Sequence, residues 1–350
     1  MKSSNYMLPI EDKIKGCLIG SAIGDGFGYP TEFMNIDEIK SKWGENGLTE
    51  PIGEIIKVTD DTQMTIAVSN AIMQSYEEGT LVKNKFETEL IREFILWLND
   101  DENNRAPGMT CLKSCENLEK GMKWQDATAK NSKGCGANMR VTPLGILKFK
   151  SEKITDLHIA KWSQLQSAIT HAHPTALVAS ELTSIAIIKI IEGVEPTNLV
   201  DVLIEYSYSQ KNTYHKDFLQ GVWERVGVYD EIDFIKRGWD ECISILRRVE
   251  EAVKLNDTET DPCEYTGEGW IAEESLATGL LCFLLYPNDS VKALIRAVNT
   301  KGDSDSIACI TGAFAGARNG LTSFPIDWVE RIEYKEELDT YLSFVLENEK

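Results

Sequence analysis

The chain has 350 residues, 42% of them hydrophobic and 9% aromatic, which supplies a packed core for one to three domains. Its formal net charge is −20; such a field repels phosphate backbones, so nucleic acid is excluded as a partner. No apolar run reaches the roughly 18–20 residues of a membrane span, and the N-terminal MKSSNYMLPIEDKIKG lacks the apolar stretch of a secretory signal, so a soluble, cytoplasmic protein with no membrane partner is expected.

The predicted elements are helical along the whole chain. Ile14, Cys17, Leu18, Ile19, Ala22 and Ile23 mark a first apolar helix rich in small residues, with Gly24 or Gly26 expected to end it. In TQMTIAVSNAIMQSYEEG, Met64, Ala67, Val68, Ala71 and Ile72 follow the i, i+3, i+4, i+7, i+8 spacing of an amphipathic helix. Leu90, Phe94, Trp97 and Leu98 repeat it. PTALVASELTSIAIIKIIEG is apolar nearly all round and is therefore expected at the centre of the fold. Further helices are expected near 197–208, 216–225, 231–255, 273–286, 289–299, 306–317 and 327–346. The stretches 25–60, 100–110, 126–145 and 256–272 carry much of the glycine and are expected to be non-helical. No run of alternating segments joined by hairpin turns appears. The fold class is all-α: one compact helical domain over 8–346, with residues 1–7 as a loose arm. The eight cysteines include no C-x-x-C pair and are expected to be reduced; the four histidines are too few for a His-rich zinc site.

Two short stretches carry the chemistry. Thr59-Asp60-Asp61-Thr62 precedes one apolar helix, and Asp303, Asp305 and Ser306 precede another, IACITGAFAGA, whose small residues suit a helix buried among helices. One aspartate or threonine at such a place is an ordinary N-cap, stabilising by about 1 kcal/mol. A cap needs one side chain, and each stretch supplies several. If the two helix mouths meet, four carboxylates converge. Each like-charge pair at about 4 Å then costs roughly 4 kcal/mol at an effective dielectric near 20. Either some of these groups are protonated or cations sit among them. Lys57 and Lys301 flank the stretches, and no basic residue lies inside them. Carboxylates with hydroxyls form a hard, all-oxygen donor set suited to Mg²⁺ or Mn²⁺, with two ions about 3.5–4 Å apart as the expected arrangement.

The ordered series GCLIGSAIGDGFGYPTEF, VTDDTQM, GCGANMRVTPLGI, ITHAHPTA, TGEGWIAEESL and NTKGDSDSIACITGAFAGA resembles the ADP-ribosylglycohydrolases, over roughly 10–320. The resemblance implies a compact all-α bundle with a central two-metal site. It implies Thr59, Asp60, Asp61, Asp303, Asp305 and Ser306 as metal ligands, Asp305 being the bridge, and cleavage of the bond between ADP-ribose and an acceptor side chain. It makes Glu32 the mobile acid/base or water-orienting residue, with Asp25 orienting its loop or supporting the ligands from behind. Asp60 and Asp61 share the candidacy for activating water or protonating the leaving group.

The glycine turn Gly134, Gly136, Ala137, Asn138, Met139 and Arg140 is expected to cradle a diphosphate with backbone N–H groups. Cys135 departs from the asparagine found there in many members. His171 is expected at the substrate pocket, and Trp270, beside Gly267 and Gly269, to stack on adenine. Each of these also has a plain structural reading: a turn, an ion pair for Arg140, a cap or core histidine, a core tryptophan. The stretch 205–262 matches the family poorly and is a candidate, with the N-terminal arm, for acceptor choice or partner binding. The expected partner is an ADP-ribosylated protein, arginine-linked in preference, with a toxin or a regulatory transferase as the source of the modification. A hydrolase of a small conjugate such as O-acyl-ADP-ribose and a non-catalytic binding protein on the same fold are the alternatives.

Overall fold

The structure is a computed structural model that describes residues 8–225 and 227–347; the arm of residues 1–7 lies outside the described residues. In chain order the helices are α1 (Ile10–Gly28), α2 (Ile36–Trp43), α3 (Asp60–Ser75), α4 (Lys83–Leu98), α5 (Met109–Glu119), α6 (Trp124–Ala127), α7 (Thr142–Leu147), α8 (Asp156–Ala168) and α9 (Pro174–Ile191). They continue as α10 (Pro196–Gln210), α11 (Lys216–Leu219), α12 (Glu231–Leu255), α13 (Cys263–Thr266), α14 (Ala272–Leu285), α15 (Ser290–Val298), α16 (Ser304–Asn319), α17 (Ile326–Arg331) and α18 (Lys335–Leu346). Two antiparallel strands of two residues each, β1 (Tyr76–Glu77) and β2 (Thr80–Leu81), are the sheet among the described residues.

The core is built on α1, α9, α14 and α16, whose residues are buried on almost every side. Against the expectation that no apolar run reaches the length of a membrane span, α9 is long and apolar enough to cross one, but 94% of it is buried inside the bundle, which is the central position its composition calls for. α8 and α12 pack on α9, and α3 packs on α4.

The tightest contact is between α1 and α16. Gly16, Gly20, Gly24 and Gly28 recur every fourth residue and form one ridge of α1, running antiparallel to Ser304, Ala308, Gly312 and Gly316 of α16. A Cβ placed on Gly24 would lie 1.9 Å from the Ala308 carbonyl oxygen, and one on Gly316 would lie 1.9 Å from that of Gly16. The expectation that Gly24 or Gly26 ends α1 is therefore corrected. The helix runs on to Gly28, because these glycines serve approach to a neighbouring backbone and not a turn.

Other boundaries shift for identifiable reasons. α2 lies inside a stretch expected to be non-helical, and a reciprocal capping box starts it: Glu38 N donates to Asn35 Oδ1 at 3.0 Å and Asn35 N to Glu38 Oε2 at 2.8 Å. The helix expected at 216–225 stops at Leu219, where Gln220 takes φ 50°. That expected at 327–346 is two helices, parted at Tyr334, φ 57°. The structure also adds α5, α6 and α8, and it places α13 inside, and the start of α7 at the end of, stretches expected to be non-helical. All eight cysteines are free and seven are buried.

Among the core's polar groups, Glu181 on α9 is completely buried and accepts hydrogen bonds from Gln164 Nε2 (2.5 Å) and Tyr206 OH (2.6 Å). Burial raises its pKa from the ordinary 4.5 to about 7, against the pull of those two hydrogen bonds.

Two expectations follow from this packing. Gly24→Ala forces backbone apart and is expected to cost about 3 kcal/mol or more. Gly108→Ala, where nothing lies within 4 Å of the added methyl, is expected to stay within about 0.5 kcal/mol of the parent; urea unfolding of both measures the difference. For Glu181, the folded chain holds a proton that the unfolded chain releases between pH 4.5 and about 7. Its contribution is thus complete below the unfolded value and lost as pH rises through the folded one. The stability of the parent relative to Glu181→Gln should fall by about 3 kcal/mol between pH 4.5 and 8, read from unfolding curves at the two pH values.

Candidate active site

α3 and α16 begin at the same place, and this brings the two acidic stretches together. Thr59 caps α3, its Oγ1 accepting from Asp61 N at 3.3 Å. Asp60 and Asp61 are the first two residues of that helix, and Asp303 stands at the mouth of α16 with Asp305 in its first turn. Ser306 Oγ donates to Asp61 Oδ2 at 2.9 Å and joins the two clusters directly. Behind them, Asp25 of α1 accepts from Thr59 N at 3.1 Å, Thr59 Oγ1 at 2.8 Å, Thr62 N at 3.0 Å and Thr62 Oγ1 at 2.5 Å. Asp25 thus fastens the start of α3 to α1. Glu32 comes from the turn after α1, and Glu32, Asp303 and Asp305 each offer a carboxylate oxygen within 4.8 Å of the others.

The electrostatics follow from this crowding. Burial, with the Asp305 charge next, pushes up the pKa of Asp25 to about 7 and of Glu32 to about 10. The same two causes, in the same order, raise Asp60, Asp61 and Asp303 well above the usual carboxylate range. Glu32 is 7% exposed, and its Oε2 has no hydrogen-bond partner. Among the described residues no lysine or arginine lines the cleft that these groups floor. The chemistry of the donor set therefore fits divalent cations: oxygen donors converge, one buried oxygen is unpaired, and no basic side chain neutralises them.

The cleft has a volume of about 320 Å³. Of the residues singled out from sequence, Glu32, Asp60, Asp61, Asp303, Asp305, Ser306, Gly134, Gly136, Met139, His171 and Trp270 line it. Thr59, Ala137, Asn138, Arg140, Gly267 and Gly269 do not. Thr59 lies behind the acids, its hydroxyl engaged with Asp25 and Asp61 N. Asn138 ties α9 to α14, accepting from Thr183 Oγ1 at 2.6 Å and donating to Ala272 O at 3.3 Å and Ser275 Oγ at 3.1 Å. Gly267 and Gly269 take φ of 98° and 85° and shape the loop that presents Trp270.

Arg140 is fully buried beneath the cleft floor, stacked 4.3 Å from the centre of the Phe94 ring. It donates to Gln166 Oε1 at 2.7 Å, Gln166 O at 2.8 Å and Thr170 Oγ1 at 2.7 Å. Thr170 Oγ1 lies 2.8 Å from His171 Nδ1. Since arginine only donates, the Thr170 hydroxyl proton is left for Nδ1. Burial, and then the Arg140 charge, lower the His171 pKa to about 3. The ring is thus neutral with its proton on Nε2, the edge that faces Gly134 and Gly136.

Two parts of the site had no counterpart in the sequence reading. One is the wall from Ala106 to Cys111, where Gly108 N donates to Asp60 Oδ2 at 3.3 Å; its Pro-Gly pair was the available signal. The other is Phe33, next to Glu32, which stacks on Trp270 with ring centres 5.8 Å apart and planes 19° apart. This pair forms the lip of the cleft.

The family model for ADP-ribosylglycohydrolase matches residues 7–349. The chain belongs to the ADP-ribosylglycohydrolase family. Among relatives, ADP-ribosylhydrolase ARH3 of Mus musculus is 24% identical over 354 residues, covering 93% of this chain and 89% of that protein. ADP-ribosylarginine hydrolase Tri1 of Serratia proteamaculans is 23% identical over 336 residues, covering 93% and 77%. A solved structure described as an ADP-ribosylglycohydrolase-related protein complex superposes with a TM-score of 0.64 at 20% identity, covering 96% of this chain and 97% of that one, which shows the shared all-α fold. This ADP-ribosylglycohydrolase is an enzyme acting on ADP-ribosyl linkages, and the match includes the stretch 205–262. There α12 packs on α9 and α14, and Glu241 accepts from Thr175 Oγ1 and Lys133 Nζ, both at 2.7 Å, bracing the glycine turn from outside.

If like-charge crowding dominates the metal-free site, removing the charge common to all the shifted groups should stabilise it. Asp305→Asn is expected to raise the metal-free melting temperature by several degrees. It should also lose the rise that a bound divalent cation is expected to give the parent. Calorimetry of both proteins with and without the ions checks this.

Proposed function

We propose that the enzyme is a divalent-cation-dependent hydrolase that removes ADP-ribose from a modified protein side chain, with arginine as the acceptor. The convergence of Asp60, Asp61, Asp303, Asp305 and Glu32 on one cleft floor, with no basic side chain among them, carries the reading. Two divalent cations, Mg²⁺ or Mn²⁺, would be held by Asp60, Asp61, Asp303, Asp305 and Ser306, supplying positive charge and Lewis acidity toward the ribose hydroxyls.

The remaining steps belong to the chain's own groups. As the glycosidic bond lengthens, the anomeric carbon gains oxocarbenium character, and carboxylates around it favour that charge. Glu32 stands at the edge of the acidic floor with a free oxygen, suited to orient water or to exchange a proton with the leaving group. Gly134 and Gly136 leave room for a diphosphate beside the His171 Nε2–H donor. Trp270 and Phe33 offer ring faces to adenine or close over it. The name of the Serratia relative supports arginine as acceptor, and a cationic guanidinium suits an acidic cleft. Such an activity would reverse a modification made by a toxin or a regulatory transferase in the cytoplasm.

The deciding assay is ADP-ribose release from arginine-linked peptides, serine-linked peptides and O-acyl-ADP-ribose, with and without chelator. The arginine linkage should be cleaved fastest, chelation should abolish turnover, and Glu32→Gln should lower kcat by about 10²-fold or more with little change in KM. Undiminished turnover by chelated, metal-free enzyme would overturn the proposal.

A further inference from the structure

The wall on one side of the cleft begins at a strained residue. Ala106 takes φ 53°, a left-handed conformation that a residue with a side chain keeps only when its surroundings hold it there. Its neighbour Arg105 is 7% exposed and is gripped from several sides. Nη1 donates to Val58 O at 2.9 Å and to Glu333 Oε2 at 2.5 Å. Nη2 donates to Glu333 Oε1 at 3.2 Å and to Glu102 Oε2 at 2.5 Å. The two arms thus hold the Glu333 carboxylate in the forked geometry that a guanidinium offers and an ammonium does not. Glu333 is fixed in turn: Oε2 accepts from Val58 N at 3.1 Å and Oε1 from Lys57 Nζ at 2.7 Å. Its backbone pairs with Ile56, Glu333 N donating to Ile56 O at 3.2 Å and Ile56 N to Arg331 O at 2.9 Å.

Asp60 stands between the two ends of this knot. Val58, held at both its N–H and its carbonyl, leads into Thr59 and Asp60. Arg105 leads into the wall, where Gly108 N donates to Asp60 Oδ2 at 3.3 Å. Neither Arg105 nor Glu333 lines the cleft, and the guanidinium charge is met by two carboxylates of its own, Glu102 and Glu333. We propose that Arg105, paired with Glu333, is a positioning residue for Asp60: it fixes both the backbone that leads into Asp60 and the wall that meets the Asp60 carboxylate. It thereby sets the direction in which that carboxylate is offered to a cation. The inference rests on the divalent-cation reading of the cleft and goes beyond it in assigning the geometry of one ligand to a pair outside the cleft.

The test uses the full-length protein and two readouts, calorimetric titration with Mg²⁺ and Mn²⁺ and amide hydrogen exchange of segment 106–111 in the metal-free state. Arg105→Met should lose about 10- to 100-fold in cation affinity, the usual loss for a residue that orients a metal ligand. Its segment 106–111 should exchange about tenfold faster or more, as the wall opens locally. Arg105→Lys, which keeps the charge and one donor but not the fork, should recover part of both losses. Glu333→Gln, nearly isosteric, is the second variant and should move both readouts in the direction of Arg105→Met. Lys57→Met, which takes a positive charge from the same carboxylate but holds no backbone, should stay within about threefold of the parent in both. Circular dichroism establishes which variants are folded. Folded Arg105→Met or Glu333→Gln with parent-like cation affinity, or with parent-like exchange at 106–111, would overturn the inference and leave the cation site standing. A parent that binds neither ion would overturn the cation reading, and exchange at 106–111 would then decide the clamp alone.

Discussion

The site depends on how closely two helix backbones can approach. α1 and α16 touch along glycines, backbone carbonyl against Cα, with no side chain between them. That contact sets where Asp25, next to Gly24, stands relative to Asp305, next to Ser304. A methyl group in the seam would part the helices and separate the acids they carry. The glycine ridge is thus both a packing device and a positioning device. It holds a cluster of carboxylates at a spacing that their mutual repulsion would otherwise widen.

The second layer of that positioning is hydrogen bonding. Asp25 spends its acceptor capacity on the backbone and hydroxyls of Thr59 and Thr62, so the start of α3 is tied to α1 independently of any ion. Asp60 and Asp61 then extend from an anchored helix end, where the helix N-terminus also favours negative charge. The scaffold absorbs the repulsion through packing and caps while leaving the outermost oxygens open. This is the usual physical compromise of a functional site: the geometry is kept by the surroundings and not by the groups that act.

How much of this was legible in the sequence follows from the range of each interaction. The acid pairs and their helices are local patterns, and they were legible together with the all-α class. The α2 capping box, Asn35 with Glu38, was equally local and was passed over inside a glycine-rich stretch. Gly24 and Gly26 were misread because a glycine that permits a turn and one that permits close approach look alike until the partner helix is known. Arg140 and Thr59 carried the right chemistry beside the right motifs, yet neither lines the cleft, Arg140 being bonded to Gln166 and Thr170 and the Thr59 hydroxyl to Asp25. Only the three-dimensional path of the turn around Cys135–Ala137 and of the α3 cap decides that. The wall at 106–111 reaches the site through tertiary contact alone, its Gly108 amide meeting Asp60 across 48 positions of sequence.

The placement of Arg140 bears on why the cleft needs ions from outside. A guanidinium among the acids would neutralise them permanently and occupy the space for substrate. Here the buried cation sits below the floor, and besides its charge it reaches the cleft through a chain of hydrogen bonds: Arg140 to Thr170, Thr170 to His171, and His171 Nε2–H toward the glycine turn. The relay fixes the tautomer of His171, and burial with the Arg140 charge keeps the ring neutral, so the histidine adds a donor without adding a cation. The negative field of the floor therefore stays uncompensated by protein groups, and mobile divalent cations become the natural complement to it.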